Sequence, residues 1–132
     1  MRFVDANIFI YHLASDPKFG NVARQILLRI QNGDETALTS TIVISQVGSY
    51  LKWKRKTGAI PLFLEFLKSL PNLTKAETTF ADYLGLTTSP EIRAENWDDL
   101  VIASQMKRFG IEEIYSNDSD FDSIRGIKRV FE

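Results

Sequence analysis

The sequence has no cysteine among its 132 residues, which excludes a disulfide scaffold and thiolate chemistry and suits a reducing cytoplasm. Histidine occurs once, at His12, and nothing around it forms a nucleophile–base pattern, so it reads as a core or edge residue. No apolar run approaches the roughly 20 residues needed to span a bilayer, which argues against a membrane protein. The opening Arg2-Phe3-Val4-Asp5 reads as the start of a strand rather than a signal or transit peptide. The net charge of −1 gives no global attraction to nucleic acid, so any RNA contact must come from local basic patches or a metal. Glycine and proline are few, and 44% of residues are hydrophobic against 25% charged, as in a folded globular chain. With neither repeat nor linker, residues 1–132 read as a single domain long enough for a sizeable core.

What is present is an alternation of short apolar runs with helical patterns. Phe3-Val4 starts a strand that stops at Asp5, and Ile8 to Tyr11 reads as a short buried helix. Val22, Ile26, Leu27 and Ile30 recur at helical spacing before Asn32-Gly33. Thr36 to Thr39 is a second strand, and Ser40 or Thr41 is placed to cap a helix with Val43, Val47, Tyr50 and Leu51 on one face. A dense apolar helix is expected over Leu62–Leu70, a strand over Leu73–Lys75, a helix over Glu77–Leu86 and a loop over Thr87–Glu95. Asn96 then caps a helix ending at Lys107 and Arg108, Glu113 to Ser116 is a fourth strand, and Ile127 to Val130 a fifth. Strands alternating with helices predict an α/β fold with a central parallel sheet covered on both faces. Ligand sites in such sheets lie beyond the carboxyl ends of the strands, where Asp5 and Asp118 fall.

Three acids, Asp118, Asp120 and Asp122, crowd the turn after the fourth strand. Carboxylates this close need solvent, cations or a metal to remain ionised together. Asp5 has an ordinary reading as an Asx-turn or cap and a functional one as a carboxylate aimed over the sheet, with Asn7 as polar support. Asp98 and Asp99 open a helix, where acids complement the dipole. Asp99, however, shares the face of Ile102, Ala103 and Met106, and an acid bordering an apolar face is costly without a partner or cation. Asp5, Asp99 and Asp118 thus converge at one sheet edge. Carboxylates without histidine or cysteine suit Mg²⁺ or Mn²⁺ rather than zinc, and phosphodiester hydrolysis is the reaction class that uses such a site.

Val4-Asp5-Ala6-Asn7, Asp99-Leu100-Val101-Ile102-Ala103-Ser104 and Ser116-Asn117-Asp118-Ser119-Asp120-Phe121, in this order and spacing, resemble the PIN domain family, in particular its small VapC-type toxins. The resemblance covers essentially the whole chain. It implies a Rossmann-like α/β/α sandwich with a parallel sheet of about five strands, and metal-dependent endoribonuclease activity restrained by an antitoxin. It makes Asp5, Asp99 and Asp118 the catalytic metal ligands, with Asp120 as a neighbouring acid. Asn7, Ser40 and Ser116, polar residues close to the strand ends, are expected to support the site.

One position departs from the family. A glutamate is usual on the helix after the second strand, and here the matching residue is Gln46, with no acid between Glu35 and Glu65. Losing one of four carboxylates weakens metal affinity, so a catalytically impaired RNA- or protein-binding module is the alternative reading. Neither a Gly-rich phosphate loop nor an Asp-x-Asp at the first strand is present, which sets aside a receiver-like or phosphoryl-transfer domain. Lys52, Lys54, Arg55 and Lys56 at a helix end complement its dipole, and Lys54 and Arg55 are candidates for holding RNA phosphates. Trp53 reads as an anchor in a core or subunit interface, with base stacking as its other use, and Trp97 as a packing residue. Apolar positions over Leu62–Leu70 exceed one helical stripe, which fits a homodimer or antitoxin interface as well as full burial.

Overall fold

The computed structural model describes residues 1–92 and 96–132. Five strands, β1 (Arg2–Val4), β2 (Ala37–Ser40), β3 (Leu73–Ala76), β4 (Glu113–Tyr115) and β5 (Lys128–Val130), form one all-parallel sheet in the order β3-β2-β1-β4-β5. Phe3 aligns with Leu38 on one side and Ile114 on the other, and Val4 with Tyr115. Phe3, Val4, Leu38, Ile114 and Tyr115 are all buried, as expected of central strands covered on both faces. Their apolar continuity is the signal by which the sequence announced them.

Helices α1 (Ala6–Leu13), α2 (Gly20–Gln31), α3 (Thr41–Trp53), α4 (Ala59–Lys68), α5 (Phe80–Leu84) and α6 (Trp97–Arg108) supply the crossovers. The β1-to-β2 and β2-to-β3 connections move outward in one direction, so right-handed crossovers lay α1 to α4 on one face. The β3-to-β4 connection returns across the sheet and puts α5 and α6 on the other. Contacts agree: α1 packs on α2 and α3, α3 on α4, and α5 on α6. Phe9 of α1 meets Phe63 of α4 edge to face at 5.5 Å between ring centroids, which joins the helices of the first face through the core.

Several expectations are corrected. The helix expected over Glu77–Leu86 is only α5, followed by a 3-10 turn over Gly85–Thr88. Its start is set by a capping box, in which the Thr79 side chain binds the backbone of Asp82 while Asp82 Oδ2 accepts the Thr79 N–H at 2.8 Å. At Gly85 a Cβ would meet the Ser104 side chain of α6, so the 3-10 turn approaches that helix closely. The rest of the expected loop includes Arg93–Glu95, which lie outside the described residues. Helix α4 begins at Ala59 rather than Leu62, because Pro61 falls in its first turn, where a missing N–H costs no helical bond. Ser40 occupies the N-cap position of α3 but makes no capping bond; Thr78 Oγ1 accepts the Ile42 N–H at 3.1 Å instead.

Trp53 is no core anchor, being 74% exposed, and Leu62 and Leu64 of α4 are exposed while Phe63, Leu67 and Leu70 are buried. Trp97 packs one tilted face on Tyr83 at 5.1 Å and leaves the rest in solvent. His12 is partly buried against Phe66, and burial, aided by the positive charge of Arg24, lowers its pKa. Among the described residues, no helix is long and apolar enough to cross a membrane.

Candidate metal centre

Strands β1 and β4 are neighbours at the middle of the sheet, and the chain leaves them in opposite directions, toward β2 and toward β5. That reversal opens a crevice beyond their carboxyl ends. Asp5 follows β1 directly and Ser116 follows β4, so the alignment of Val4 with Tyr115 brings the two side by side. Ser116 Oγ donates to Asp5 Oδ2 at 2.7 Å and accepts from Asn7 Nδ2 at 3.1 Å and from the Asp118 N–H at 3.0 Å. Asp5 Oδ1 accepts the Ala6 N–H at 2.8 Å, so Asp5 also serves as N-cap of α1. The ordinary and functional readings of this residue are compatible. Asn7 Oδ1 takes the Asn117 N–H at 3.2 Å, and Asn117 Nδ2 reaches the Tyr11 hydroxyl at 3.3 Å.

The turn after β4 is a 3-10 segment, Ser119–Ser123, capped by Asp118, whose Oδ1 accepts the Asp120 N–H at 2.9 Å. Phe121 is fully buried beneath it, so the acidic turn is pinned to the core by one ring. Asp122 stands apart: Arg129 of β5 binds it through two hydrogen bonds of 3.0 Å, and it serves the turn as expected.

Asp99 arrives from the other face of the sheet, in the first turn of α6. Asn96 Oδ1 accepts the Asp98 N–H at 3.0 Å and fixes where that helix starts. One carboxylate oxygen from each of Asp99, Asp118 and Asp120 lies within 4.8 Å of the others. Asp5 is outside this closest set, its oxygens already engaged by Ser116 and Ala6. The crevice thus gathers the acids expected to converge, with Asp120 in the tightest group and Asp5 at its back.

Electrostatics single out two of them. Burial pushes the Asp5 carboxyl up to about 6, with Asp118 adding to the rise and the Ser116 and Ala6 hydrogen bonds opposing it. Asp99 is pushed up to about 7, first by burial and then by the negative charges of Asp118, Asp5, Asp120 and Asp98. Such a cluster disfavours its own ionisation at neutral pH and gains most from a compensating cation. Its donors are all oxygen and its charge is high, which fits a hard divalent ion. Asp99, Asp118 and Asp120 have the reach to hold one.

Ser40 Oγ and Gln46 Oε1 are buried without hydrogen-bond partners among the described residues, and Gln46 Nε2 donates to Asp98 Oδ2 at 3.2 Å. Lys52, Lys54, Arg55 and Lys56 lie at the far end of α3. α3 starts where β2 ends and runs 13 residues to Trp53, about 18 Å at the usual rise, with Arg55 beyond it. The basic cluster therefore does not border the acids. Arg55 adopts φ 57° where the chain leaves the helix, a left-handed conformation that glycine usually fills. No local pattern signals the Asn117–Tyr11 contact, the Phe121 anchor or the Gln46–Asp98 pair, all of which join distant segments.

No curated protein matches the sequence. VapC20 of Mycobacterium tuberculosis, described as a sarcin-ricin loop cleaving toxin, superposes with a TM-score of 0.76 at 15% identity, over 96% of this chain and 98% of that one. VapBC2 of Rickettsia felis, solved with a promoter DNA fragment, gives 0.72 at 19% identity, over 98% and 96%. A toxin–antitoxin complex of Klebsiella pneumoniae gives 0.66 at 16%, over 97% and 96%. At these identities the likeness shows the fold, a five-stranded parallel sheet flanked by helices. The PIN domain profile matches residues 2–127, nearly the whole length, and the chain belongs to the PIN domain family.

Proposed function

We propose that this protein is a Mg²⁺- or Mn²⁺-dependent endoribonuclease, one domain over residues 1–132, acting in the cytoplasm as the toxin of a toxin–antitoxin pair. The observation that carries the reading is the convergence of Asp99, Asp118 and Asp120 within 4.8 Å, backed by Asp5, at the switch point of a PIN sheet. Asp99, Asp118 and Asp120 would hold the ion, and Asp5, behind them, would complete the acidic cluster. A divalent ion bound there supplies a Lewis acid for phosphate oxygens and lowers the pKa of water. The chain's own residues do the positioning. Ser116 and the Ala6 amide hold the Asp5 carboxylate in one orientation, Asn7 braces Ser116, and Phe121 keeps the acidic turn in register. Lys54 and Arg55, away from the acids, contribute attraction for phosphates of a longer RNA rather than contact with the scissile one.

Two features support a protein partner. Neighbouring folds were solved as toxin–antitoxin assemblies, and the exposed Leu62 and Leu64 offer an apolar face to a second copy or an antitoxin. The test is cleavage of RNA by partner-free protein with Mn²⁺. Wild type should cleave, chelation should stop it, and Asp5→Asn should lower the rate about 10–100-fold or more. Unchanged cleavage by Asp5→Asn would sink the reading.

A second reading, a PIN module that binds without turnover, rests on Gln46 in place of an acid. Gln46→Glu separates the two: a large gain in cleavage favours impairment, and comparable activity removes the reason for proposing it.

A further inference from the structure

Gln46 does more than lack a charge. It lies on the second turn of α3, and its amide Nε2 meets Oδ2 of Asp98, in the first turn of α6, at 3.2 Å. The two helices cover opposite faces of the sheet, so this pair closes over the strand ends between them. Asp98 is fixed from both sides, since its backbone N–H is held by Asn96 Oδ1 and its carboxylate by Gln46. It is next in sequence to Asp99, and its negative charge acts on Asp99 along with those of Asp5, Asp118 and Asp120.

An acid in the second position of a helix is ordinarily a solvated complement to the dipole and needs no side-chain donor. Here it has one, brought from 52 residues away. The donor must be uncharged or cationic, because a carboxylate at 3.2 Å from Asp98 would repel it. Glutamine at position 46 and aspartate at position 98 therefore form a matched pair. The pair also lines a groove of about 580 Å³, with Thr41, Ser45, Ser49 and Thr78 among its walls, that opens to solvent. Asp98 is thereby half-buried and open to water.

We propose that Asp98, positioned by Gln46, supplies the negative charge that α3 itself does not carry, and so restores the charge complement of the acidic crevice toward a divalent cation. This rests on the metal reading given above. It places Asp98 outside the close group of Asp99, Asp118 and Asp120, acting on the ion through its field and through water. Affinity for hard cations rises with the carboxylate count, and groups that orient a site's acids matter nearly as much as the acids.

The test is calorimetric titration of the full chain with Mn²⁺, together with the Mn²⁺-induced rise in Tm, neither of which depends on cleavage. Asp98→Asn should weaken binding about 10–100-fold. Gln46→Leu should weaken it in the wild-type background and add nothing to Asp98→Asn, because it acts through that carboxylate. The exchange Gln46→Glu with Asp98→Asn should return affinity to within about 3-fold of wild type, since it moves the charge without removing it. Urea midpoints in chelator check folding, and Asp98→Ser, which retains a helix-start preference, takes over if the asparagine variant unfolds. Wild-type affinity in Asp98→Asn, or an exchange variant no better than Asp98→Asn, overturns the assignment alone. Absence of Mn²⁺ binding by wild type, with Asp118→Asn indistinguishable from it, overturns the metal reading and this assignment together.

Discussion

Replacing Asp99 by asparagine should make the metal-free protein more stable at neutral pH. The Asp99 side chain is 6% exposed, and its carboxyl is pushed up to about 7 by burial and by its four acidic neighbours, against 3.8 for an ordinary aspartate. A group that binds its proton more tightly in the folded chain contributes stability that is fully present below the unfolded pKa and is lost as pH rises through the folded one. At about 1.36 kcal/mol per unit, the raised pKa of Asp99 costs the fold about 4 kcal/mol at pH 8, where the group is ionised, and about 1.5 kcal/mol at pH 5, where only the unfolded chain ionises it. Asparagine has nearly the same volume and no charge to place there. It forfeits an acid in the first turn of α6, which offsets about 0.5 kcal/mol. The net expectation is a gain of about 3 kcal/mol at pH 8, shrinking to about 1 kcal/mol at pH 5. Urea denaturation in chelator at the two pH values measures both. Saturating Mn²⁺ should reverse the order by stabilising wild type more. Asp99→Asn less stable than wild type at pH 8, or a gap independent of pH, would refute the electrostatic account.

Phe121→Ala should cost about 3–5 kcal/mol of stability by equilibrium denaturation, as for other fully buried rings, and should weaken Mn²⁺ binding because the turn carrying Asp118 and Asp120 loses its anchor. Asp82 is 1% exposed and binds Arg108 Nε at 2.8 Å and Nη2 at 3.0 Å, so Asp82→Ala should cost about 2–3 kcal/mol while leaving Mn²⁺ affinity intact. Burial works to raise the Asp82 pKa, but the bonds from Arg108, Thr79 and Gln105 win and lower it; its contribution is therefore present above the unfolded pKa and lost as pH falls through the folded one. Arg55→Gly should raise stability by about 0.5–1 kcal/mol, since the left-handed backbone at φ 57° suits glycine; a decrease in the denaturation midpoint would show that the arginine side chain stabilises that turn.

Much of this architecture was legible because burial on both faces makes parallel strands run apolar and stop abruptly. Phe3-Val4 before Asp5, and Ile114-Tyr115 before Ser116, each announce a strand and the polar residue at its end. The cap at Asn96 and the buried face of α6 were equally plain, and with them Asp99. Contacts between distant segments were not. Asp82 reads as one more helix-surface acid until Arg108, 26 residues on, covers it. Thr78 satisfies the start of α3 from the end of β3, so Ser40, the local candidate, has no capping role. Gln46 read as a missing charge because its partner, Asp98, is adjacent only after both faces of the sheet are packed. Periodicity and capping are local signals, and each of these residues is defined by the closure of the fold.

Crystals soaked in Mn²⁺ and read by anomalous scattering test whether the acids beyond β1 and β4 hold a divalent ion. A single strong peak is expected within about 2.0–2.3 Å of carboxylate oxygens of Asp99 and Asp118, with Asp5 and Asp120 around it. A map without a peak there, or with manganese only at acids elsewhere such as Asp122 or Glu113, would contradict it.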